Sequence, residues 1–458
     1  MALRPSRALW WICAAVAAAV AVLAVAQWVG ALASGRPVIY GEGAVAHAAL
    51  LLRDGATYRD GSGAVAANYP PLYLALAGLG PPLIAGRAVT IASALAVAAL
   101  VAWRARTAGG LVSAALGLGW LALAPVAIWG AAAKPDVLAV ALTFAAVVAL
   151  ERSRGRGAAA AAGVLLALAV WTKPTALLPA ATVLAWAFVA AGRAFMPALG
   201  GAVVVALGAL SHAVLLGLDD VWRHVVTWNA LAWSAEQVGL VAVLALATVG
   251  ILVAATVASG GARGLALAYL IGAIGVAVLA GREGATINYL LDLAAATTFA
   301  FARIAATARD SAGVPLAAVA QIAVAFAFLA PFGVVPGRDP ATGAWGRPER
   351  AEVVRALGPG SHLVEDSGLL IAAGREPVVD DLFLWSRLVG AGVVDPTPVL
   401  ALVRRGELAS VVSETDLDRL AQAPAYERAR WDPALVRAVL DRYALERSAD
   451  GLWVYRPR

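Results

Sequence analysis

Charged side chains are scarce in this sequence of 458 residues. Only 14% of the residues are Asp, Glu, Lys or Arg, whereas 62% are hydrophobic, and the mean hydropathy is +0.81. A water-soluble globular domain of ordinary composition does not show this balance. The composition therefore excludes an ordinary soluble protein and predicts that lipid surrounds most of the chain.

Cysteine and histidine are too few and too scattered to form the sites that they usually build. The single cysteine, Cys13, lies inside an apolar run, so it can close no intrachain disulfide and contribute to no cysteine metal site. The histidines His47, His212, His224 and His362 show no H-x-x-x-H or similar ligand spacing. We therefore expect no zinc site.

Motifs of several soluble enzyme classes are missing as well. The sequence has no G-x-S-x-G, and its C-terminal region has no G-x-G-x-x-G and no P-loop. The sequence pI is near 9.8, yet the basic residues stand singly between apolar runs, without interleaved aromatics. We expect no nucleic acid as a partner.

Long apolar runs are what the sequence does contain. Spanning about 30 Å of hydrocarbon takes about 20 residues of helix, because every backbone polar group must be satisfied within the segment. The runs lie near residues 8–33, 83–103, 109–130, 135–150, 157–172, 174–191, 195–217, 238–258, 263–281, 288–307 and 313–335. The sequence predicts an α-helical polytopic membrane protein with about 11 transmembrane helices.

The distribution of arginine predicts the orientation. With a cytoplasmic N-terminus, the inside segments hold only two acids, Glu151 and Asp310, against the basic residues Arg4, Arg7, Arg104, Arg106, Arg152, Arg154, Arg156, Arg193, Arg263, Arg303 and Arg309. The positive-inside rule then places the opposite loops outside. An odd number of spans places the C-terminus outside as well.

The composition changes after residue 336, where charge rises and no later segment could span a membrane. A hairpin is expected around Ala449-Asp450-Gly451. Short apolar runs alternate with helical stretches at Pro348 to Leu357, Pro396 to Arg405 and Pro433 to Tyr443. We predict a transmembrane domain over residues 1–336 and a small extracytoplasmic α/β domain over residues 337–458.

Two outer segments are more than connectors. The first outer loop, residues 34–70, contains an amphipathic stretch from Ala44 to Leu52, and a helix too short to span follows it, from Pro71 to Gly80. The segment from Leu218 to Gln237 holds Trp222, Trp228 and Trp233. Three tryptophans in such a span predict a helix that lies in the outer interface.

Glu42 is the acid that suggests chemistry most directly. It stands between Gly41 and Gly43, a few residues beyond the first helix. Glycines let another backbone or a ligand approach closely, so Glu42 could act as a general base on an acceptor hydroxyl or as a metal ligand. A solvated loop acid in a turn is the alternative, and position alone does not decide between them.

The two lysines occupy matching positions. Lys134 and Lys173 are each followed by proline at an outer helix boundary, in a chain that otherwise uses arginine. A compact ammonium at two such places suggests an anion, such as a lipid phosphate, while snorkelling to the interface is an equally good explanation. Asp136 either neutralises Lys134 or serves as a second acid near Glu42.

A third polar group lies where the tenth apolar run begins. Arg282, Asn288 and Tyr289 precede Asp292, which falls about one turn inside that run. An ionisable group at this depth is costly unless it faces a cavity or a partner, and Arg87 poses the same question near the start of the second span. We expect Asp292 and Arg87 to face the protein interior and not the lipid. In the interior, each could have a functional role or could simply pair with a charge on a neighbouring helix.

The order of these motifs resembles the GT-C superfamily of membrane glycosyltransferases, especially the bacterial relatives of protein O-mannosyltransferases and of lipid A aminoarabinose transferases. The motifs are Tyr40-Gly41-Glu42-Gly43, Leu52-Arg53-Asp54-Gly55-Ala56-Thr57-Tyr58, Asn68-Tyr69-Pro70-Pro71-Leu72-Tyr73, Gly86-Arg87, Lys134-Pro135-Asp136, Trp171-Thr172-Lys173-Pro174-Thr175 and Asn288-Tyr289-Leu290-Leu291-Asp292. They cover most of the membrane part, and their order carries the signal.

The resemblance implies a GT-C-like fold and a class of reaction. A sugar, hexosyl or pentosyl, would pass with inversion from a polyprenyl-phosphate-linked donor to a glycan, lipid or protein acceptor. The reaction would take place on the extracytoplasmic face of the bacterial inner (plasma) membrane. Membrane lipids and the lipid-linked donor are the expected partners, and no further cofactor is assigned.

The resemblance also implies roles for individual residues. Glu42 would act at the reaction centre, with Asp136 as a second acid, although many members have two adjacent acids where this chain has one Glu between glycines. By position, the lipid phosphate would be bound by Arg87, Lys134, Lys173 or Arg282. The other candidate substrate-binding residues are Tyr69, Asn288, Tyr289 and Asp292. Some GT-C enzymes use a divalent metal and others do not, and Glu42 and Asp136 are the expected ligands if one binds.

Two other classes of protein fit parts of the pattern. A transporter or flippase of envelope lipids or glycans predicts polar residues at mid-membrane, in broken helices and inverted repeats. Here the polar residues gather at the outer boundary, and the two Lys-Pro segments run in the same direction. A non-catalytic assembly protein predicts no cavity next to Glu42.

Overall fold

The computed structural model describes residues 5–152, 155–308, 310–335 and 348–458. Arg4, Arg154 and Arg309, which enter the orientation argument, lie outside the described residues. So does the domain boundary expected between residues 336 and 337.

The membrane part is a bundle of apolar helices. Its helices are α1 (Pro5–Ser34), α2 (Glu42–Arg53), α3 (Pro71–Ala77), α4 (Pro82–Ala105), α5 (Gly110–Ala122), α6 (Ala124–Trp129), α7 (Asp136–Arg152), α8 (Arg156–Thr172), α9 (Leu177–Ala190), α10 (Phe195–Leu216), α11 (Leu218–Trp222), α12 (Ala235–Ala258), α13 (Leu265–Leu279), α14 (Leu291–Thr307) and α15 (Gly313–Leu329). Each predicted apolar run contains a helix, which confirms the polytopic α-helical class.

Six helical segments in the described ranges are long and apolar enough to cross a membrane. They are Arg7–Ser34, Pro82–Ala108, Gly192–Leu216, Ala235–Ala258, Ile287–Thr307 and Gly313–Phe332. Shorter apolar helices accompany them at Gly110–Ala122, Arg156–Thr172, Pro174–Ala190 and Leu265–Leu279. The chain is therefore a multi-pass membrane protein, and the number of eleven crossings stays a prediction.

The run predicted at residues 109–130 is divided in two. Leu123 has extended backbone, with φ −64° and ψ 132°, between α5 and α6. Pro125 explains the break, because proline lacks an N–H and its ring clashes with the carbonyl four residues earlier in a continuous helix.

The segment from Leu218 to Gln237 differs from a single interfacial helix. The short α11 continues into a π-helical turn over Arg223–Thr227, and a turn and irregular chain then lead to α12. Trp222 and Trp233 are exposed, but Trp228 is buried against residues of the C-terminal domain. The prediction for Trp228 was therefore wrong, since its contacts come from chain that is distant in sequence.

The C-terminal domain combines a four-stranded sheet with short helices. The strands β1 (His362–Val364), β2 (Ser410–Ser413), β3 (Tyr443–Ala449) and β4 (Leu452–Pro457) are arranged in the order β1-β2-β4-β3. Its helices are α16 (Pro348–Arg355), α17 (Ser367–Ala372), α18 (Leu382–Gly390), α19 (Thr397–Arg404), α20 (Ala425–Arg428) and α21 (Pro433–Arg442). The small α/β character is confirmed, including the hairpin, whose turn residues Asp450 and Gly451 both have positive φ.

This domain packs closely on α2 of the first outer loop. A Cβ added at Gly43 would overlap the backbone nitrogen of Gly368 in α17, so only glycine permits the contact. Beside it, the buried Asp380 carboxylate bonds the His47 ring at 3.1 Å and accepts from the Ala66 nitrogen at 2.6 Å. These contacts bring the residues that follow Asp380 to the ends of the membrane helices.

Candidate active site

A polar cavity of about 320 Å³ lies where the ends of several membrane helices meet the C-terminal domain. Its wall is built by the first outer loop, by the junctions that precede α7 and α9, and by residues of the segment 282–289. The C-terminal domain completes it with Asp381, Phe383, Leu384 and Tyr426. Six of the predicted site residues line this cavity: Tyr69, Lys134, Lys173, Arg282, Asn288 and Tyr289.

A second, larger cavity of about 630 Å³ adjoins the polar one. Its lining is almost entirely apolar and comes mainly from α8, α9, α10 and α11. Pro174, Val225 and Val226 line both cavities. A polar chamber therefore lies next to an apolar groove among membrane helices, with three lining residues in common.

Lys134 stands in the turn before α7, where it reaches the polar cavity. Its Nζ donates to the Gly41 carbonyl at 2.7 Å and lies 5.9 Å from the centre of the Tyr69 ring. Burial lowers the pKa of Lys134, while the nearby negative charges, Asp381 foremost, oppose that shift. A lysine has three donor hydrogens, so this ammonium can bind an anion in addition to the carbonyl.

Lys173 and Asp136 form a buried ion pair at the cavity wall. Lys173 Nζ donates to Asp136 Oδ1 at 2.5 Å, and Asn288 Nδ2 donates to the same oxygen at 2.7 Å. The ammonium also lies 4.5 Å from the centre of the Tyr289 ring. Asp136 thus neutralises Lys173 rather than Lys134, which corrects one of the two roles that the sequence left open for this acid.

Arg282 is held at the cavity by the segment around it. Its Nη1 donates to the backbone and side-chain oxygens of Asn229 at 2.7 and 2.9 Å, and its Nη2 donates to Tyr289 Oη at 2.8 Å. Arg282 Nε, Trp129 Nε1 and Thr175 Oγ1 are buried without a hydrogen-bond partner within the described chain. Unpaired donors around a cavity suit a ligand that is rich in acceptor oxygens.

Glu42 lies behind this cavity and not in its lining. Its side chain is fully buried and paired with Arg87, with 2.7 Å between Nη2 and Oε2. The backbone nitrogens of Val38 and Ala133 also donate to the carboxylate, at 2.7 and 2.6 Å. Both oxygens are thus occupied by structural partners, so this geometry does not support Glu42 as a general base or Arg87 as a phosphate ligand.

Asp292 is also set back from the cavity. It is buried in the first turn of α14, with 6% of its surface exposed. The expectation that this acid faces the protein interior is met by its position, whereas its role in binding a substrate stays a prediction.

The residues proposed as metal ligands do not form a ligand set. Across the ranges that the structure describes, no three His, Cys, Asp or Glu side chains converge as a metal site would require. Each of the two expected ligands, Glu42 and Asp136, has a cation within 2.7 Å. A buried cation beside each carboxylate opposes the binding of a divalent ion there, so these residues do not fit a metal site.

The sequence reasoning missed the acids and aromatics that the C-terminal domain contributes. Asp381 caps α18, since its Oδ1 accepts from the Leu384 nitrogen at 3.0 Å. Phe383 and Tyr426 stand beside it with ring centres 5.7 Å apart, and the Tyr40 ring lies 6.5 Å from that of Tyr426. The pair Asp380-Asp381 before an apolar helix was the available signal, but it reads as an ordinary helix start.

Comparisons with known proteins bear on the fold. Protein-family models and the sequences of curated proteins give no match to the chain. Among solved structures, the chain is similar to ArnT from Cupriavidus metallidurans bound to undecaprenyl phosphate, with a TM-score of 0.60 and 14% identity over 95% of this chain and 97% of that chain. ArnT in the apo state gives a TM-score of 0.59 at the same identity and coverage.

The apo oligosaccharyltransferase of Archaeoglobus fulgidus gives a TM-score of 0.48 and 11% identity, over 99% of this chain and 74% of that chain. At this level it adds no weight to the comparison with ArnT. The match to ArnT shows that the chain shares the fold of that protein, which agrees with the fold that the resemblance to GT-C membrane glycosyltransferases implies.

Proposed function

We propose that the chain is a glycosyltransferase that moves a sugar from a polyprenyl-phosphate-linked donor to an acceptor on the extracytoplasmic face. The observation that carries this proposal is the position of the polar cavity directly beside an apolar groove of about 630 Å³, with which it shares three lining residues. A lipid phosphate presents its charge at headgroup level and its tail to the hydrocarbon, which matches this pair of cavities. ArnT, which shares the fold, has been captured with undecaprenyl phosphate.

Three cations act on the phosphate in this proposal. Lys134, Lys173 and Arg282 line the polar cavity together. Held in place before the reaction, they stabilise the negative charge that grows on the phosphate as the bond to the sugar breaks. Direct attack by an acceptor oxygen on the opposite face of the anomeric carbon inverts its configuration. The sugar would be a hexose or a pentose.

The proposed orientation has support from the two ends of the bundle. The polar cavity and the C-terminal domain lie at one end, where α4 and α7 begin. At the other end of those helices, Arg104 binds Glu151 at 2.6 Å, and the guanidinium groups of Arg106 and Arg152 stack on Trp103. Arginines at the end opposite the cavity fit a cytoplasmic side there. We also propose the division into domains at residues 1–336 and 337–458.

Transfer by the purified protein tests the function. The wild type is incubated with polyprenyl-phosphate sugars and envelope acceptors, and radiolabelled product is measured. We expect Lys134→Ala and Arg282→Ala each to lower kcat by about 10²–10³-fold, because each removes one fixed donor to the leaving group. Arg193→Ala is the matched control, since Arg193 is exposed at the junction before α10.

One result would overturn the proposed function, and another would overturn the assigned phosphate site. One is wild-type protein that releases no lipid phosphate from any donor sugar while it translocates labelled lipid across liposomes, which a flippase would do. The other is full transfer activity in both cavity variants, which would remove the phosphate site from this cavity.

A further inference from the structure

Several acids in or behind the wall of the polar cavity are neutralised by a neighbouring cation. Three of them form ion pairs within the described part of the chain, with N···O distances of 2.7, 2.5 and 2.8 Å: Glu42 with Arg87, Asp136 with Lys173, and Glu283 with Arg387. A carboxylate in such a pair already has an oxygen bound to a cation, so that oxygen is not free to accept the proton of a substrate hydroxyl. Asp381 differs from all three.

The Asp381 carboxylate has one fixed oxygen and one free oxygen. Oδ1 accepts from the Leu384 nitrogen at 3.0 Å and from the Tyr40 hydroxyl at 3.2 Å. Oδ2 has no hydrogen bond or ion pair to the residues that the structure describes. The side chain is partly exposed and lines the polar cavity, so its free oxygen can meet a ligand.

Gly41 leaves an opening between Asp381 and Lys134. A Cβ on Gly41 would lie 2.8 Å from Lys134 Nζ and 4.0 Å from Asp381 Oδ2. The free carboxylate oxygen and the ammonium therefore flank one point that glycine, at φ +80°, leaves vacant. An anion held by Lys134 would lie within a few ångströms of the carboxylate.

We propose that Asp381 is the catalytic base that takes the proton from the acceptor hydroxyl. This inference rests on the proposed function and adds the residue that activates the acceptor. The hydroxyl oxygen forms the new bond to the anomeric carbon, and its proton passes to Asp381 Oδ2. The bond between that carbon and the phosphate oxygen breaks, and the lipid phosphate leaves with the electron pair, bound to Lys134.

The C-terminal domain holds this base rigidly. The preceding residue, Asp380, is buried and bonded to His47 and to the Ala66 nitrogen, and its carbonyl accepts from Ser367 Oγ at 2.5 Å. Asp381 also directly precedes α18, whose first turn its side chain caps. A base fixed at both its backbone and one oxygen keeps the other oxygen aimed at the cavity. The domain is thus part of the active site and not an accessory.

Asp381→Asn tests the inference without removing the helix cap, because asparagine caps helices as well as aspartate. We expect kcat to fall about 10²–10⁴-fold, the usual contribution of general base catalysis, while the Kd for polyprenyl phosphate stays within about twofold. The acid limb of the pH profile of kcat should disappear in Asp381→Asn and return, displaced, in Asp381→Glu. Asp395→Asn is the matched control, since Asp395 is an exposed acid of the same domain whose Oδ1 accepts from the Thr397 nitrogen.

The outcomes separate the two proposals. Wild-type transfer together with full kcat and an unchanged pH profile in Asp381→Asn would overturn Asp381 as the base and leave the proposed function intact. A parallel loss of kcat and of melting temperature, with the acid limb retained, would make Asp381 a structural residue and also overturn the inference. Absence of transfer by the wild type would contradict the proposed function itself.

Discussion

The Arg87 guanidinium binds both carboxylate oxygens of Glu42, at 2.7 Å from Nη2 to Oε2 and 3.3 Å from Nε to Oε1. Both side chains are fully buried. Because the Ala133 nitrogen also donates to Glu42, this pair joins the first outer loop to α4 and to the turn that carries Lys134. We therefore regard Glu42 as a cross-link behind the active site.

Glu42→Gln should act mainly on stability. Removing one member of a buried ion pair leaves the other charge uncompensated, which typically costs about 3–5 kcal/mol. We expect a clear fall in the melting temperature in detergent and a near-normal kcat for the fraction that remains folded. Glu151→Gln, at the opposite end of the bundle, breaks the partly exposed pair with Arg104 and should cost less.

The opposite result would return Glu42 to the role that the sequence predicts. A Glu42→Gln protein with the wild-type melting temperature and normal binding of polyprenyl phosphate, but a kcat lowered 10³-fold or more, would identify it as the base.

Gly43→Ala should separate the C-terminal domain from α2. The added methyl would overlap the backbone nitrogen of Gly368, which no side-chain rotation can relieve. Overpacking of this kind costs about 1–3 kcal/mol or more, and displacement of α17 would also move Asp381. Limited proteolysis should show earlier release of the C-terminal domain, and kcat should fall.

Gly239→Ala is the control for that substitution. A Cβ at this position in α12 meets nothing within 4 Å, and alanine favours helix by about 1 kcal/mol relative to glycine. If both variants resist proteolysis equally and keep wild-type kcat, the close approach of α2 and α17 does not exist in solution.

The sequence predicts much of the fold because its physical causes are local. Apolar runs of sufficient length mark the helices, and the turn residues Asp450 and Gly451 mark the hairpin. Lys134 and Lys173 both precede proline at helix ends, and ends on the same side of a bundle meet. Convergence of these lysines at one cavity could therefore be anticipated.

The remaining features depend on contacts between distant parts of the chain. The Tyr40 hydroxyl bonds Asp381 across 341 residues, and no local pattern signals that the C-terminal domain completes the cavity. The burial of Glu42 depends in the same way on distant residues. Arg87 of α4 and the backbone nitrogen of Ala133, in the turn before α7, both bind its carboxylate. The glycines beside Glu42, Gly41 and Gly43, indicate that another part of the protein or a ligand comes close, but they do not indicate which group it is.

Asp366→Asn should change how stability depends on pH. Burial, with a contribution from Glu414, raises the pKa of Asp366 from 3.8 to about 7. The folded state then binds this proton more tightly than the unfolded chain, so its contribution to stability falls as the pH rises from about 4 to about 7. Asparagine keeps the bond that Asp366 Oδ1 accepts from the Gly368 nitrogen, without the buried charge.

We therefore expect the variant to gain stability over the wild type as the pH rises, by an amount on the order of a few kcal/mol above pH 7. Melting temperatures measured between pH 4 and 8 check this. Asp441→Asn changes an exposed residue of the same domain, so its melting temperature should depend on pH in the same way as that of the wild type. If the melting temperatures of Asp366→Asn and the wild type differ by the same amount at every pH in this range, Asp366 does not become a buried charge as the pH rises.

Ala209→Trp should show whether the apolar cavity binds the lipid tail of the donor or is only a space between helices. Ala209 lines the apolar cavity on α10, and an indole there would displace part of a bound chain. Loss of contact with two methylene groups costs about 1.6 kcal/mol, which raises the KM for a long-chain donor about tenfold or more. The KM for a donor with a short prenyl chain, which does not reach the groove, should stay unchanged.

Val204→Trp provides the matched control, because Val204 lies on the same helix outside the groove lining and 70% of its surface is exposed. Equal KM values for long-chain and short-chain donors in Ala209→Trp would show that the tail lies elsewhere. In that case the neighbouring apolar groove would no longer support a lipid-linked donor, whereas the cation site formed by Lys134 and Arg282 would still be open to a soluble phosphate.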